Sequence, residues 1–297
     1  MVRFCMGVLL AMALHPAVLA AGTVILHLRT PAGGQACLVG ATHLVLEKAS
    51  ADAQLLQCER DARVVLVEAF AMPEKAFSWS GYVRRSGDPS VSDLSPSTRA
   101  RLPQCLGAAG YTEAGIDRFL ALHPVAVYRA LLYARTLAPP FSVFPNVDLL
   151  VGAAALRKGF PTRELEGVDE FYRNDRTLSP QDIEAFIPPL CDLLRNADRV
   201  REFQASLLAY VRANEEVHAP DEWWHLHRAF KSQVLGLPEQ ASIHDVENRN
   251  PKMADNIEQF VNEYRYALVF VGGAHLGGPR GILAILKARG VTVQPSK

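Results

Sequence analysis

Short apolar runs mark both ends of this chain, and apolar residues at three-and-four spacing fill its middle. Thr23 to Thr30 is rich in β-branched and aliphatic residues, Pro31 to Gly34 has turn composition, and Ala36 to Val39 is a second apolar run. The pattern predicts a β-hairpin. Residues 48–60 have the Ala, Leu, Lys, Gln and Glu content of a helix. Arg63 to Val67 is a short, almost wholly apolar run, which fits a strand buried on both faces. From Pro73 to Pro103 the composition shifts to Ser, Gly, Pro and Arg without a sustained period, so an irregular connection is expected. Helical periodicity then predicts helices over 112–122, 124–137, 146–158, 180–195, 199–213 and 222–235, several of them opening on helix-start chemistry such as Ser179-Pro180-Gln-Asp182. Pro161 to Glu166 reads as one more short strand. Pro251 to Arg265 reads as a helix, Ala267 to Val271 as another buried strand, 282–289 as a helix closed by Gly290, and Val291 to Val293 as a last strand. Strands, a long helical middle and strands again predict an α/β fold: a central mixed sheet formed by both ends of the chain, with a mostly helical insertion over residues 73–245.

The amino terminus changes this picture. Arg3, the apolar run Met6 to Leu14, the breaker Pro16 and small residues at Val18 and Ala20 make a secretory signal over 1–20, leaving 21–297 as the mature domain. The apolar run is shorter than the ~20 residues of a membrane span, and nothing later is long enough, so a soluble periplasmic or secreted protein with no stable membrane span is expected. Lys plus Arg and Asp plus Glu number 31 each, with no basic block, which makes nucleic acid a poor partner. Of five cysteines, Cys5 leaves with the signal. The other four lack CxxC spacing, and in an oxidising compartment the pairs Cys37 with Cys58 and Cys105 with Cys191 close the smaller combined loops.

Candidate chemistry gathers at strand ends. Val39 leads into Gly40-Ala-Thr-His43, Val67 runs into Glu68, and Val271 leads into Gly272-Gly-Ala-His275. If these strands are parallel neighbours, His43, Glu68 and His275 converge outside the carboxyl ends of the sheet, where open α/β folds bind ligands. The glycines would serve positive φ or close approach of another group. With 20 Gly and 9 His in 297 residues, chance gives roughly 0.6 GxxH matches, so one match says little and two at strand ends say more. Two histidines and a carboxylate suit a divalent ion such as Mn, Co or Zn, which lowers the pKa of its water and polarises a carbonyl. The plainer reading, satisfied loop or core histidines with Glu68 as an ion-pair member, has equal weight on pattern alone. Trp223-Trp224-His225-Leu-His227 sits in a helical pattern where the two histidines do not face each other. His218 and His244 read as surface residues, and no GxSxG elbow is present.

Four segments, Leu38 to His43, Val64 to Glu68, Glu247 to Asn250 with Met253, and Val271 to Leu283 with Gly290-Val-Thr-Val, resemble in order and spacing the motifs of the TraB/PrgY-like family, which includes the GumN and Tiki proteins. Val147 to Leu150, Ala154, Lys158-Gly159 and Leu165-Glu166 add to the resemblance. The first motif departs from the usual pattern, with Ala41 after its glycine and Thr42 one place later. The resemblance implies a metal-dependent hydrolase of peptide or small-molecule substrates, since the animal members are proposed to be proteases acting on Wnt ligands. It implies His43, Glu68 and His275 as the centre, with Arg249 and Asn250 orienting substrate or oxyanion. More distant similarity to erythromycin esterases and to a haem-binding lipoprotein group leaves a non-catalytic ligand-binding protein as the alternative. His-to-Ala variants at 43 or 275 are expected to keep the fold, because a crevice residue contributes little packing.

Overall fold

The computed structural model describes residues 24–41, 44–45, 53–68, 78–134, 137, 144–145, 155–156 and 159–295. The expected signal segment and His43 lie outside them, as does nearly all of the expected helix 146–158.

Strands β1 (Val24–Arg29) and β2 (Gln35–Ala41) form the expected hairpin. A two-residue strand β3 (Leu44–Val45), helix α1 (Ala53–Asp61) and strand β4 (Val64–Val67) follow. The helical middle contains α2 (Pro96–Ala108), α3 (Glu113–Ala121), α4 (Pro124–Leu132), the short strands β5 (Phe144–Pro145) and β6 (Thr162–Glu164), α5 (Val168–Asp175), α6 (Pro180–Leu194), α7 (Ala197–Glu215), α8 (Pro220–Ala229) and α9 (Glu239–Ser242). Helix α10 (Asn250–Tyr264), strand β7 (Tyr266–Gly272), helix α11 (Ile282–Ala288) and strand β8 (Thr292–Pro295) complete it.

The main sheet runs β6-β4-β7-β2-β1-β8. β2 and β4 flank β7 in parallel, and β6 continues the parallel set beyond β4. The three strands with chemistry at their ends are therefore neighbours pointing the same way. Their continuous apolar sequences follow from burial on both faces. One face packs Leu38, Leu66, Val269 and Val271 against Met253, Ile257 and Val261 of α10. The other packs Val39, Val65, Val67 and Phe270 against Leu55 and Cys58 of α1. A third core, centred on α2, α4 and α6, holds the helical region together. Disulfides Cys37–Cys58 and Cys105–Cys191 fasten α1 to β2 and α2 to α6, as the cysteine spacing suggested. None of the described helices is long and apolar enough to cross a membrane.

Residues 73–103 are not wholly irregular. Ser95 accepts the Thr98 amide and Pro96 occupies the first turn, so α2 starts inside that stretch and tolerates Pro103 within it. The expected helix 222–235 is α8 followed by a π-helical turn over Phe230–Val234. A second π-helical turn, Ile243–Glu247, precedes α10.

Candidate functional site

Four parallel strands deliver their carboxyl ends to one place. Glu68 directly follows β4 and Glu166 stands two residues beyond β6. The ladder runs past both strands, with Leu165 N–H donating to Val67 O at 2.7 Å and Glu166 N–H to Glu68 O at 2.8 Å. Two buried carboxylates thus leave adjacent strands side by side. Across the next strand, Gly272 N–H donates to Glu68 Oε2 at 2.9 Å, and β7 then enters the turn that ends at His275.

Arg249, at the start of α10, joins these groups. Its Nη2 donates to Glu68 Oε1 at 2.9 Å and also to Glu166, its Nε donates to Glu166 Oε2 at 2.7 Å, and its Nη1 donates to the Asp245 carbonyl at 3.1 Å. Nη1 also lies 3.4 Å from His275 Nε2. All five N–H directions of the guanidinium thereby face protein acceptors. Phe171 covers one of its faces, 5.5 Å from ring centroid to Cζ. Burial works to lower the Arg249 pKa, but Glu68 and Glu166 outweigh it and raise it, so the group is cationic. Two carboxylates against one guanidinium leave a formal charge of −2 + 1 = −1 in this contact set.

His275 is 3% exposed. Its Nδ1 lies 2.6 Å from Asn250 Oδ1, and Asn250 Nδ2 donates to the Arg280 carbonyl at 2.8 Å. A carbonyl can only accept, so the amide nitrogen must face Arg280 and the amide oxygen must face His275. That places a proton on Nδ1, and in the neutral imidazole it leaves a lone pair on Nε2. Nε2 lies 3.4 Å from Glu68 Oε1. This separation equals the edge of a tetrahedron with two bonds of about 2.1 Å, the spacing that two donors to one small divalent ion would have. The polarity of the set, an imidazole lone pair beside an anionic cluster, suits a cation. Arg249 Nη1 is the group such an ion would displace from Nε2.

Gly40, which opens the first GxxH segment, and Gly273, inside the second, serve close approach. Neither Gly40 nor Gly273 has positive φ. A Cβ on Gly40 would come within 2.5 Å of the Trp223 ring, and one on Gly273 within 2.2 Å. Trp223, 1% exposed on α8, is therefore wedged between the ends of β2 and β7. Gly273→Ala is expected to cost about 1–3 kcal/mol, because a stiff indole has to move. A thermal melt checks this, and an unchanged midpoint would show that the wedge yields freely.

The structure thus brings Glu68, Arg249, Asn250 and His275 together, while His43 lies outside the described residues. Sequence reading passed over Glu166 as a site residue, although Leu165-Glu166 after a short strand repeats the form of Val67-Glu68. It also passed over Trp223, whose helical pattern says nothing about what it touches. His244 is not a surface residue: it is 2% exposed, with Nε2 3.4 Å from Asp175 Oδ1, because the π-helical turn rotates it inward. His225 and His218 are exposed, as expected.

Beside the centre, a cleft of 140 Å³ opens on Glu166 and Arg249, with Arg173, Asn174, Asn248 and Lys252 among its walls. No curated protein and no solved structure matches the chain. A family model does match, over residues 28–295, which spans both GxxH segments, the Glu68 and Glu166 strands and the Arg249-Asn250 helix start. On that near-complete match, the chain belongs to the TraB/PrgY/gumN family.

Proposed function

We propose that this chain is an exported metal-dependent hydrolase that cleaves amide or ester bonds in peptide-like substrates. His275 Nε2 and Glu68 Oε1 would hold the ion, with His43 as a third ligand. The observation that carries the reading is the placing of His275, with Nδ1 2.6 Å from Asn250 Oδ1 and Nε2 3.4 Å from Glu68 Oε1. Asn250 accepts from Nδ1, which is the outer-sphere support that metal-ligating histidines generally have, and this turns Nε2 towards the Glu68 carboxylate. The net negative charge of the cluster, which suits a cation, points the same way.

When bound, such an ion supplies a water of lowered pKa and polarises the scissile carbonyl. The protein groups around it have separate tasks. Glu68, oriented by Gly272 N–H and Arg249, accepts a proton from the attacking water or shares the ligand set. Arg249 and Asn250 act as positioning residues: the first spaces Glu68 from Glu166, and the second sets the imidazole. Export is supported by the amino-terminal pattern and agrees with the two disulfides.

Elemental analysis and absorbance of protein recovered from the exported fraction, followed by cleavage of a broad peptide library, test the reading. Near-stoichiometric colourless divalent metal is expected, and Glu68→Gln should lower cleavage by about 100-fold or more. A Soret band without a divalent ion would replace the hydrolase with a haem-binding protein.

A further inference from the structure

A second group of ligand-type side chains lies on the α1 face of the sheet. His27 on β1 stands in register with Cys37 on β2, and its Nδ1 is 3.6 Å from Cys37 Sγ. Cys58, from α1, completes a set whose ligand atoms all lie within 4.8 Å of one another. Tyr266, which opens β7, places its hydroxyl 3.3 Å from Cys37 Sγ. The two sulfurs are buried and His27 is exposed, so the group has one open side.

We propose that reduction of the Cys37–Cys58 disulfide converts this group into a site for a thiophilic ion of the zinc class, held by both thiolates and His27. In a tetrahedral zinc site with bonds of about 2.3 Å to sulfur and about 2.1 Å to nitrogen, sulfur and nitrogen lie about 3.6 Å apart. The observed His27–Cys37 separation is that edge. Two thiolates on one ion lie about 3.8 Å apart. Rotation of the Cys58 side chain on α1 can open this separation from the disulfide while the Cα atoms keep their 5.8 Å spacing. The Tyr266 hydroxyl, 3.3 Å from Cys37 Sγ, is placed to donate to the Cys37 thiolate from outside the ligand set.

The step is balanced by a thiol reductant. It supplies two electrons and two protons, the Sγ–Sγ bond breaks, two thiols form, and the reductant leaves as its own disulfide. Binding of the dication then releases both thiol protons to solvent.

The test uses the full chain carrying Cys105→Ser and Cys191→Ser, so that only this pair contributes thiolates. It is reduced with a phosphine, which leaves as its oxide, and titrated anaerobically with Co²⁺ and then Zn²⁺. One Co²⁺ per chain with thiolate-to-cobalt charge-transfer absorption is expected, absent from the oxidised protein and abolished by Zn²⁺. His27→Ala, a change at an exposed strand position, should weaken Co²⁺ binding at least about tenfold. The proposal is overturned if both sulfurs titrate as free thiols without that absorption, or if His27→Ala binds as tightly as its parent. Loss of the fold on reduction that Zn²⁺ does not reverse also overturns it. Loss of peptide cleavage in His275 variants bears on the other centre and leaves this result untouched.

Discussion

Arg129→Ala is expected to destabilise the protein by about 3–5 kcal/mol, the usual cost of removing one partner from a buried ion network. Arg129 is 2% exposed, and its guanidinium meets Asp175 through Nε at 2.9 Å and Nη2 at 2.5 Å, and Asp245 through Nη2 at 2.9 Å. Lys231 Nζ lies 2.6 Å from Asp245 Oδ2, Tyr128 donates to the same oxygen at 3.1 Å, and Tyr82 donates to Asp175. With Arg129 gone, Asp175 stays wholly buried without its cation. Burial works to raise the Asp175 pKa, but Arg129, His244 and Tyr82 outweigh it and hold the carboxyl at about 2, below its ordinary 3.8. Asp175 thus stabilises the fold above pH 3.8, and that contribution is lost as pH falls towards 2. In Arg129→Ala the acid-side loss should begin at higher pH. Urea denaturation from pH 6 downward checks both effects, and a variant within about 0.5 kcal/mol of wild type would show that the network contributes nothing. The network also reaches the candidate site, because the Asp245 carbonyl that faces Arg249 belongs to the same π-helical turn.

His275→Ala is expected to remove bound metal and to lower peptide cleavage by at least about 100-fold. Its effect on stability differs from what a side chain in an open crevice would show. His275 is 3% exposed, so its removal leaves Asn250 Oδ1 buried without its donor, at a cost of about 1–3 kcal/mol. A loss of stability therefore accompanies both the metal-ligand and the core-histidine readings, and metal content decides between them. Asn250→Leu keeps the imidazole but frees its tautomer, and should weaken metal binding by about 10- to 100-fold. His225→Ala, on the exposed face of α8, should leave metal and cleavage unchanged. Elemental analysis beside thermal melts measures each variant. Full metal retention in His275→Ala would remove this residue from the ligand set.

Local patterning alone determined a good deal of this protein. Val64 to Val67 and Ala267 to Val271 read as strands because burial on both faces demands uninterrupted apolar sequence, and Ser179-Pro180 marked the start of α6 because capping is a property of adjacent residues. Helix α2 was hidden because Pro103 and the small residues before it mimic a connection. Only the tertiary structure decided that β7 lies between β4 and β2, a pairing of segments some 200 residues apart that leaves no trace in local periodicity. The same holds for charge. Nothing in the local sequence marks Arg129, Asp175, Lys231 and Asp245 as buried, since a charged side chain is buried only with its partners, and those partners come from four different elements. Glu166 and Trp223 were missed for this reason too. Their tasks are defined by Arg249 and by the glycines they touch, and contact across a folded core is decided by packing of the whole chain.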